Sequence, residues 1–319
     1  MGQMKAHAIM FHHLHDGKKH IKCQGSISAD DLRLMLDYYG REHNIISASD
    51  FRDKALNDSL DEKDVCLAFD DGLLCQYEVA YPVLKERGLN AFWFIYTSPQ
   101  EGKLEKLEVY HHFRFSQFDD IEDYYGAFFS MVDKHLGGVE INSKYAFSYK
   151  SEQKYYTPND RKYRYIRDKI LSAEEYDGIL TSMMQEKGYR PAENASVLWI
   201  DEGQIRRLKN DGNLIGLHSH THPTILGEWS REKQRREYQR NQDILSSITG
   251  SPIDSAAYPC QSYNADTLAV MHELNIRIGF RADMYTDSLL GDPKLELPRE
   301  DHSNIMKEAL SHENYSIYG

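Results

Sequence analysis

Short apolar runs alternate along this chain with longer amphipathic segments, and that rhythm constrains the fold more than any other feature. Ala6–Phe11, Val65–Phe69, Ala91–Tyr96, Leu214–Leu217, Ser255–Tyr258, Arg277–Phe280 and Leu295–Leu297 read as strands. Several are almost continuously hydrophobic, the mark of strands covered on both faces. The segments between them read as helices, so a parallel α/β architecture is expected. Ser28 with Asp31 resembles a capping box, after which Leu32, Met35, Leu36 and Tyr39 fall on one face. A second helix over Cys75–Arg87 stops at Gly88, and another follows Asn264 with Leu268, Met271 and Leu274 turned inward. Trp229–Ile248 is polar apart from a stripe at Ile244, Leu245 and Ile248.

One stretch breaks the rhythm. Residues 100–195 hold 11 of the 22 tyrosines, together with Phe113, Phe115, Phe118, Phe128 and Phe129. A structureless loop of that length is improbable inside a compact domain, so an inserted, mostly helical, aromatic-rich subdomain is expected over 100–195, interrupting a main domain of 1–99 and 196–319. Two readings of its rings stay open: a small local core, or flat faces lining a substrate cleft.

Composition removes several classes. Lys and Arg number 38 against 50 Asp and Glu, a formal charge of −12, with no long basic run to track a phosphate backbone. Nucleic acid is therefore not an expected partner. The longest apolar run, Ala91–Tyr96, is far short of the roughly 20 residues that cross a bilayer, so no transmembrane segment is expected. The apolar stretch near the N-terminus is too short for a signal-peptide core. Cys23, Cys66, Cys75 and Cys260 have neither metal-knuckle spacing nor disulfide-scaffold density. These features lead us to expect a reduced, cytoplasmic protein.

The polar residues with chemical potential fall just past the expected strands: His12 and His13, Asp70 and Asp71, His218 to His222, Pro259 and Cys260, and Arg299 with Asp301. In parallel α/β folds the carboxyl ends of strands are where sites assemble. Two adjacent carboxylates, Asp70 and Asp71, repel each other unless a cation lies close by. A divalent metal would relieve that repulsion, although a solvated Asp-Asp-Gly turn is the plain alternative. His218 and His222, four apart where Pro223 breaks the chain, form a pair suited to a metal; His220 is expected to support them or to face solvent. Two imidazoles and one carboxylate leave coordination positions open, as in catalytic sites, and the neighbouring carboxylate could serve as base. That combination points to metal-assisted hydrolysis.

At these residues the sequence resembles the polysaccharide deacetylase family, the NodB-homology domain of carbohydrate esterase family four. Phe69-Asp70-Asp71-Gly72 matches its first motif and His218-Ser219-x-x-His222-Pro223 its second, over roughly residues 6–96 and 196–302. The resemblance implies a distorted (β/α)7-type barrel and removal of an N-acetyl or related acyl group from an amino sugar in a glycan or a glycan-biosynthesis intermediate. It also implies one divalent metal ion, zinc first, with cobalt or nickel as alternatives. Carried over, Asp71, His218 and His222 hold the metal and Asp70 is the general base.

The third motif, often R-x-P-Y-G, here reads Ala257-Tyr258-Pro259-Cys260-Gln261, so its arginine, tyrosine and glycine are all replaced. The backbone N–H of Cys260 could still serve as an oxyanion donor. That departure, with Met10-Phe11-His12-His13 and Leu297-Pro298-Arg299, resembles a circularly permuted subgroup. In that subgroup's pattern His12 is the general acid, with His13 the alternative, and Arg299 replaces the missing arginine beside Asp70. An N-acylated amino sugar or oligosaccharide is the expected partner, and a membrane-surface substrate is compatible with the reading. An O-acetyl ester or non-sugar amide substrate, or a non-catalytic glycan-binding relative, are the competing readings.

Overall fold

The computed structural model describes residues 5–137, 143–151, 157–285 and 289–316. Its contacts divide the chain into two compact units, Met1–Glu105 with Ser196–Gly319, and Lys106–Ala195.

The first unit is built on a parallel sheet. Its strands are β1 (His7–Phe11), β2 (Asn44–Ile45), β3 (Asp64–Asp70), β4 (Phe92–Ile95), β5 (Leu214–Leu217), β6 (Ser255–Ala257), β7 (Ile278–Phe280) and β8 (Arg299–Asp301). They run in the order β7-β6-β5-β4-β3-β1-β8, with the short β2 beside β3. Just ahead of β8, Leu297 bridges back to Phe280 at the end of β7, which nearly closes the sheet into a barrel. The expected distorted (β/α)7-type barrel is therefore what forms. The interior proves the curl: Phe92 and Phe94 of β4 meet Phe280 of β7 at 5.0 and 5.4 Å between ring centroids, although β5 and β6 intervene in the sheet. Alternate residues supply that interior, so Cys66 and Ala68 of β3 share the cluster with Ala8 and Ala257.

Three readings of the sequence are amended. The strand expected at Leu295–Leu297 lies instead at Arg299–Asp301, because Pro293–Leu295 turns as a short 3-10 helix and Pro298 has no N–H for a ladder. Arg299 thus sits in a strand and not beyond one. β2 was not foreseen, since Asn44–Ile45 is too short to show a pattern. The helix expected at Cys75–Arg87 contains a π-helical turn at Gln76–Ala80 before Tyr81–Glu86. The capping box at Ser28 forms as read, and Asn264 closes a second one with Thr267 at the start of its helix.

The second unit is helical throughout its described residues: Lys106–Ser116, Ile121–Leu136, Ser143–Ser148, Pro158–Tyr165, Ala173–Glu186 and Pro191–Asn194 carry it. Phe113, Tyr124, Tyr125, Phe128 and Tyr163 are buried together, with the Tyr163 ring 4.9 Å from that of Phe128. The aromatic richness of this segment therefore builds a local core. Tyr155 and Tyr156, counted in that richness, lie outside the described residues.

Candidate metal centre and active site

Strand periodicity aims the first carboxylate. Asp70 is the last residue of β3 and shares a face with Cys66 and Ala68, so its side chain enters the end of the barrel and is 2 % exposed. A lone carboxylate there would be costly, and its partner comes from the strand on the far side of β1. Arg299 Nη1 donates to Asp70 Oδ1 at 2.7 Å, and Arg299 is itself buried, with its guanidinium 5.8 Å from the Phe94 ring centroid. Burial pushes the Asp70 carboxyl up, but Arg299, then His218 and His12, outweigh it and hold it below its ordinary value.

At Asp71 the chain leaves the strand with φ +77°, a conformation costly for a residue with a Cβ, and Gly72 follows at +63°. A Cβ on Gly72 would stand 2.9 Å from Ile95 Cγ2, so glycine is required there twice over. This turn aims Asp71 beside the histidines of the β5 loop. Asp71 Oδ1 lies 3.2 Å from His222 Nε2 and 3.5 Å from His218 Nε2. The loop bends through Ser219 (φ +62°) and His222 (φ +50°), and is tied by His222 N–H donating to Ser219 Oγ. Strained residues thus gather at Asp71, Ser219 and His222, a concentration typical of sites that need unusual aim.

The three side chains fit a metal ion. One ligand atom from each of Asp71, His218 and His222 lies within 4.8 Å of the others. Asp71 Oδ1 is buried without a hydrogen-bond partner, an orphan that a cation would satisfy. His218 Nδ1 faces the Ala257 carbonyl at 2.9 Å; donating there leaves the Nε2 lone pair toward Asp71, the arrangement usual for a metal-binding imidazole. Burial brings His222 down to about 4, which also keeps its lone pair available. His218 is raised, because Asp70 and Asp71 outweigh the effect of burial on it.

Around this group stand the remaining candidates. His12 Nε2 lies 3.9 Å from Asp70 Oδ2, and burial lowers its pKa in spite of both carboxylates. His13, the alternative, has a ring nitrogen within 4.8 Å of Cys23 Sγ. Cys260 is exposed at the turn after β6, with φ +51°. Its thiol is pushed up to about 11, first by desolvation and then by Asp71 and Asp70, so it offers no thiolate near neutral pH.

Two buried amides were not anticipated. Gln76 Nε2 donates to the backbone carbonyls of both His12 (2.8 Å) and Asp70 (2.6 Å), fixing acid and base candidates to one another. Asn241 Oδ1 accepts from His218 N–H at 2.9 Å, while its Nδ2 donates to the Ile95 carbonyl and to Thr97 Oγ1. Thr97 in turn meets His220 Nδ1 at 3.0 Å, and the other ring nitrogen of His220 faces Glu101 at 3.2 Å. His220 thus supports the loop. The signal for Gln76 was one amide on the inward face of an apolar helix; Asn241 was hidden in a helix that reads as polar almost all round.

Fold and site together define a parallel α/β barrel that carries a cluster of two imidazoles and two carboxylates at the carboxyl ends of its strands. A sequence model of one family, described as polysaccharide deacetylase, matches residues 174–279, a span that includes the His218–His222 motif. No curated protein matches the chain. Solved structures share its fold across nearly all of both chains. IcaB from Ammonifex degensii is 14 % identical, with TM-score 0.55 and coverage of 96 % of this chain and 97 % of that one. A Streptococcus pyogenes deacetylase, PplD, in complex with acetate is 17 % identical, with TM-score 0.53 and coverage of 95 % and 97 %. A de-N-acetylase from Aggregatibacter actinomycetemcomitans is 13 % identical, with TM-score 0.55 and coverage of 95 % and 99 %.

Proposed function

We propose that the chain is a metal-dependent N-deacetylase acting on an N-acylated amino sugar. The observation that carries this reading is one rim holding an Arg-paired buried carboxylate (Asp70), an orphaned second carboxylate facing two imidazoles (Asp71 with His218 and His222), and a further histidine 3.9 Å from the first carboxylate. Asp71, His218 and His222 would hold a divalent ion, which when bound supplies Lewis acidity to the acyl carbonyl and lowers the pKa of water.

Asp70, held ionised by Arg299, receives the proton of the attacking water at Oδ2, the oxygen that Arg299 does not engage. Cys260 N–H is the candidate donor to the oxyanion, a role the backbone fills whatever the side chain. His12, whose Nε2 stands 3.9 Å from Asp70 Oδ2, delivers a proton to the leaving nitrogen. The products are acetate (or another short carboxylate) and a free amine. The place of β1 between β3 and β8, with His12 just past its end, supports the circularly permuted reading.

The test is acetate release from N-acetylglucosamine oligomers, run beside O-acetylated xylo-oligosaccharides and cyclic amides, before and after chelation. Chelator-sensitive release from the N-acetyl substrates alone is expected. Release only from the O-acetyl panel would replace this reading with an esterase.

A further inference from the structure

Gln261 stands in the left-handed region, with φ +61°, directly after Cys260 at +51°. Two successive residues with side chains in that region are costly, and glycine would remove the cost at position 261. Something holds the glutamine there, and its amide shows what. Gln261 Nε2 donates to Asp283 Oδ2 at 2.8 Å, and Gln261 Oε1 accepts from the Ala282 backbone N–H. Both ends of one amide thus clamp the segment that follows β7.

That segment holds Arg299. The Arg281 carbonyl accepts from Arg299 Nε, and the Asp283 carbonyl accepts from the Arg299 backbone N–H at 3.1 Å. Asp283 Oδ1 further ties the segment together by accepting from Arg281 Nη2 and Tyr285 N–H. With Nε engaged by Arg281, the guanidinium can present Nη1 to Asp70 in one orientation only, because its nitrogens are coplanar. A continuous polar path therefore runs from the Gln261 amide through residues 281–283 to Arg299 and on to Asp70.

We infer that Gln261 is a positioning residue that fixes Arg299, and through it Asp70, by clamping residues 281–283. Its catalytic consequence rests on the reading of Asp70 as base given above; the clamp itself does not. Gln261→Gly relieves backbone strain while removing the side chain and its amide, so a purely structural role for Gln261 leaves kcat and Arg299 untouched by this change. The clamp instead requires kcat to fall by about tenfold, the scale of one neutral hydrogen bond, with KM changed less than about twofold.

Gln261→Glu should be equally impaired, because its carboxylate faces Asp283. Adding Asp283→Asn restores the pair with donor and acceptor exchanged, and kcat should recover. Alongside, hydrogen exchange at the Arg299 Nε–H, followed by NMR, should accelerate in both single variants and slow again in the double. This readout stands whether or not acetate is released. Unchanged exchange at Arg299 in Gln261→Gly, or no recovery in the double variant, overturns the inference. Restored exchange protection in a protein where Asp70→Asn keeps full activity would preserve the clamp and overturn the assignment of Asp70.

Discussion

Asp70 and Arg299 lie 229 positions apart in the chain and form a 2.7 Å ion pair in which both side chains are almost wholly buried. Breaking such a pair from one side leaves an uncompensated charge inside the barrel end. Arg299→Gln should therefore raise the Asp70 pKa: the guanidinium is the largest influence holding it down against burial. The acid limb of the kcat/KM profile should move to higher pH, and unfolding should require less denaturant. An acid limb that stays in place would show that Arg299 does not govern Asp70.

Asp70→Asn keeps the shape of the side chain and removes its basicity. Turnover should fall by about 10² to 10⁴-fold, the usual contribution of a positioned acid or base, while metal content stays at the wild-type level. Elemental analysis alongside acetate assays separates this outcome from loss of the site.

Replacing His218 and His222 together by alanine removes two of the three clustered ligand atoms. Metal content after dialysis should drop to background, and chelator should no longer lower Tm. In the wild type, metal at 100 times its Kd should stabilise by about 2.7 kcal/mol through mass action. A chelator-sensitive Tm in the double variant would place the metal elsewhere.

Asn241→Leu fills the space of the amide but takes its partner from His218 N–H and from the Ile95 carbonyl, while Thr97 Oγ1 keeps His220. Buried unpaired polar groups cost about 1–3 kcal/mol each, although relaxation will recover part of the sum. The variant should be clearly destabilised in urea and should hold metal more weakly by chelator competition.

His7 offers a pH dependence remote from the centre. Its ring is buried, with Nδ1 at 2.7 Å from the Lys5 carbonyl and Nε2 at 2.7 Å from Tyr39 Oη. Burial is the largest influence on it and lowers its pKa. The fold therefore favours the neutral ring: the stabilisation is complete above the unfolded-state value of about 6.5 and is lost as pH falls below it. The urea midpoint of the wild type should drop more steeply as pH falls below about 6.5 than that of His7→Asn; parallel curves would exclude His7 as the cause.

Much of the barrel was legible in local pattern. β1, β3, β4, β5, β6 and β7 each contain a continuous apolar run, and two motifs keep their chemistry within a few consecutive residues, Asp70-Asp71-Gly72 and His218 to His222. The residues missed share one property. Gln76, Asn241 and Gln261 act through hydrogen bonds to backbone groups 6 to 146 positions distant, and nothing in their own neighbourhoods shows which carbonyl or N–H will need them. Asn241 lies on a helix whose polar residues look solvated until packing buries Gln234, Tyr238 and Asn241 on one side.

The sequence by itself determined β1 and β3 to β7, the chemical types at their ends and the order in which they occur, because side-chain periodicity and strand propensity are local. Only the tertiary structure decided that β8 lies beside β1, which carries Arg299 to Asp70, and that the left-handed turns at Asp71, Ser219 and His222 aim one carboxylate and two imidazoles at a common point. The physical reason is that a buried charge or a bent backbone is tolerated only where distant parts of the chain compensate it, and that compensation exists only once the barrel has closed.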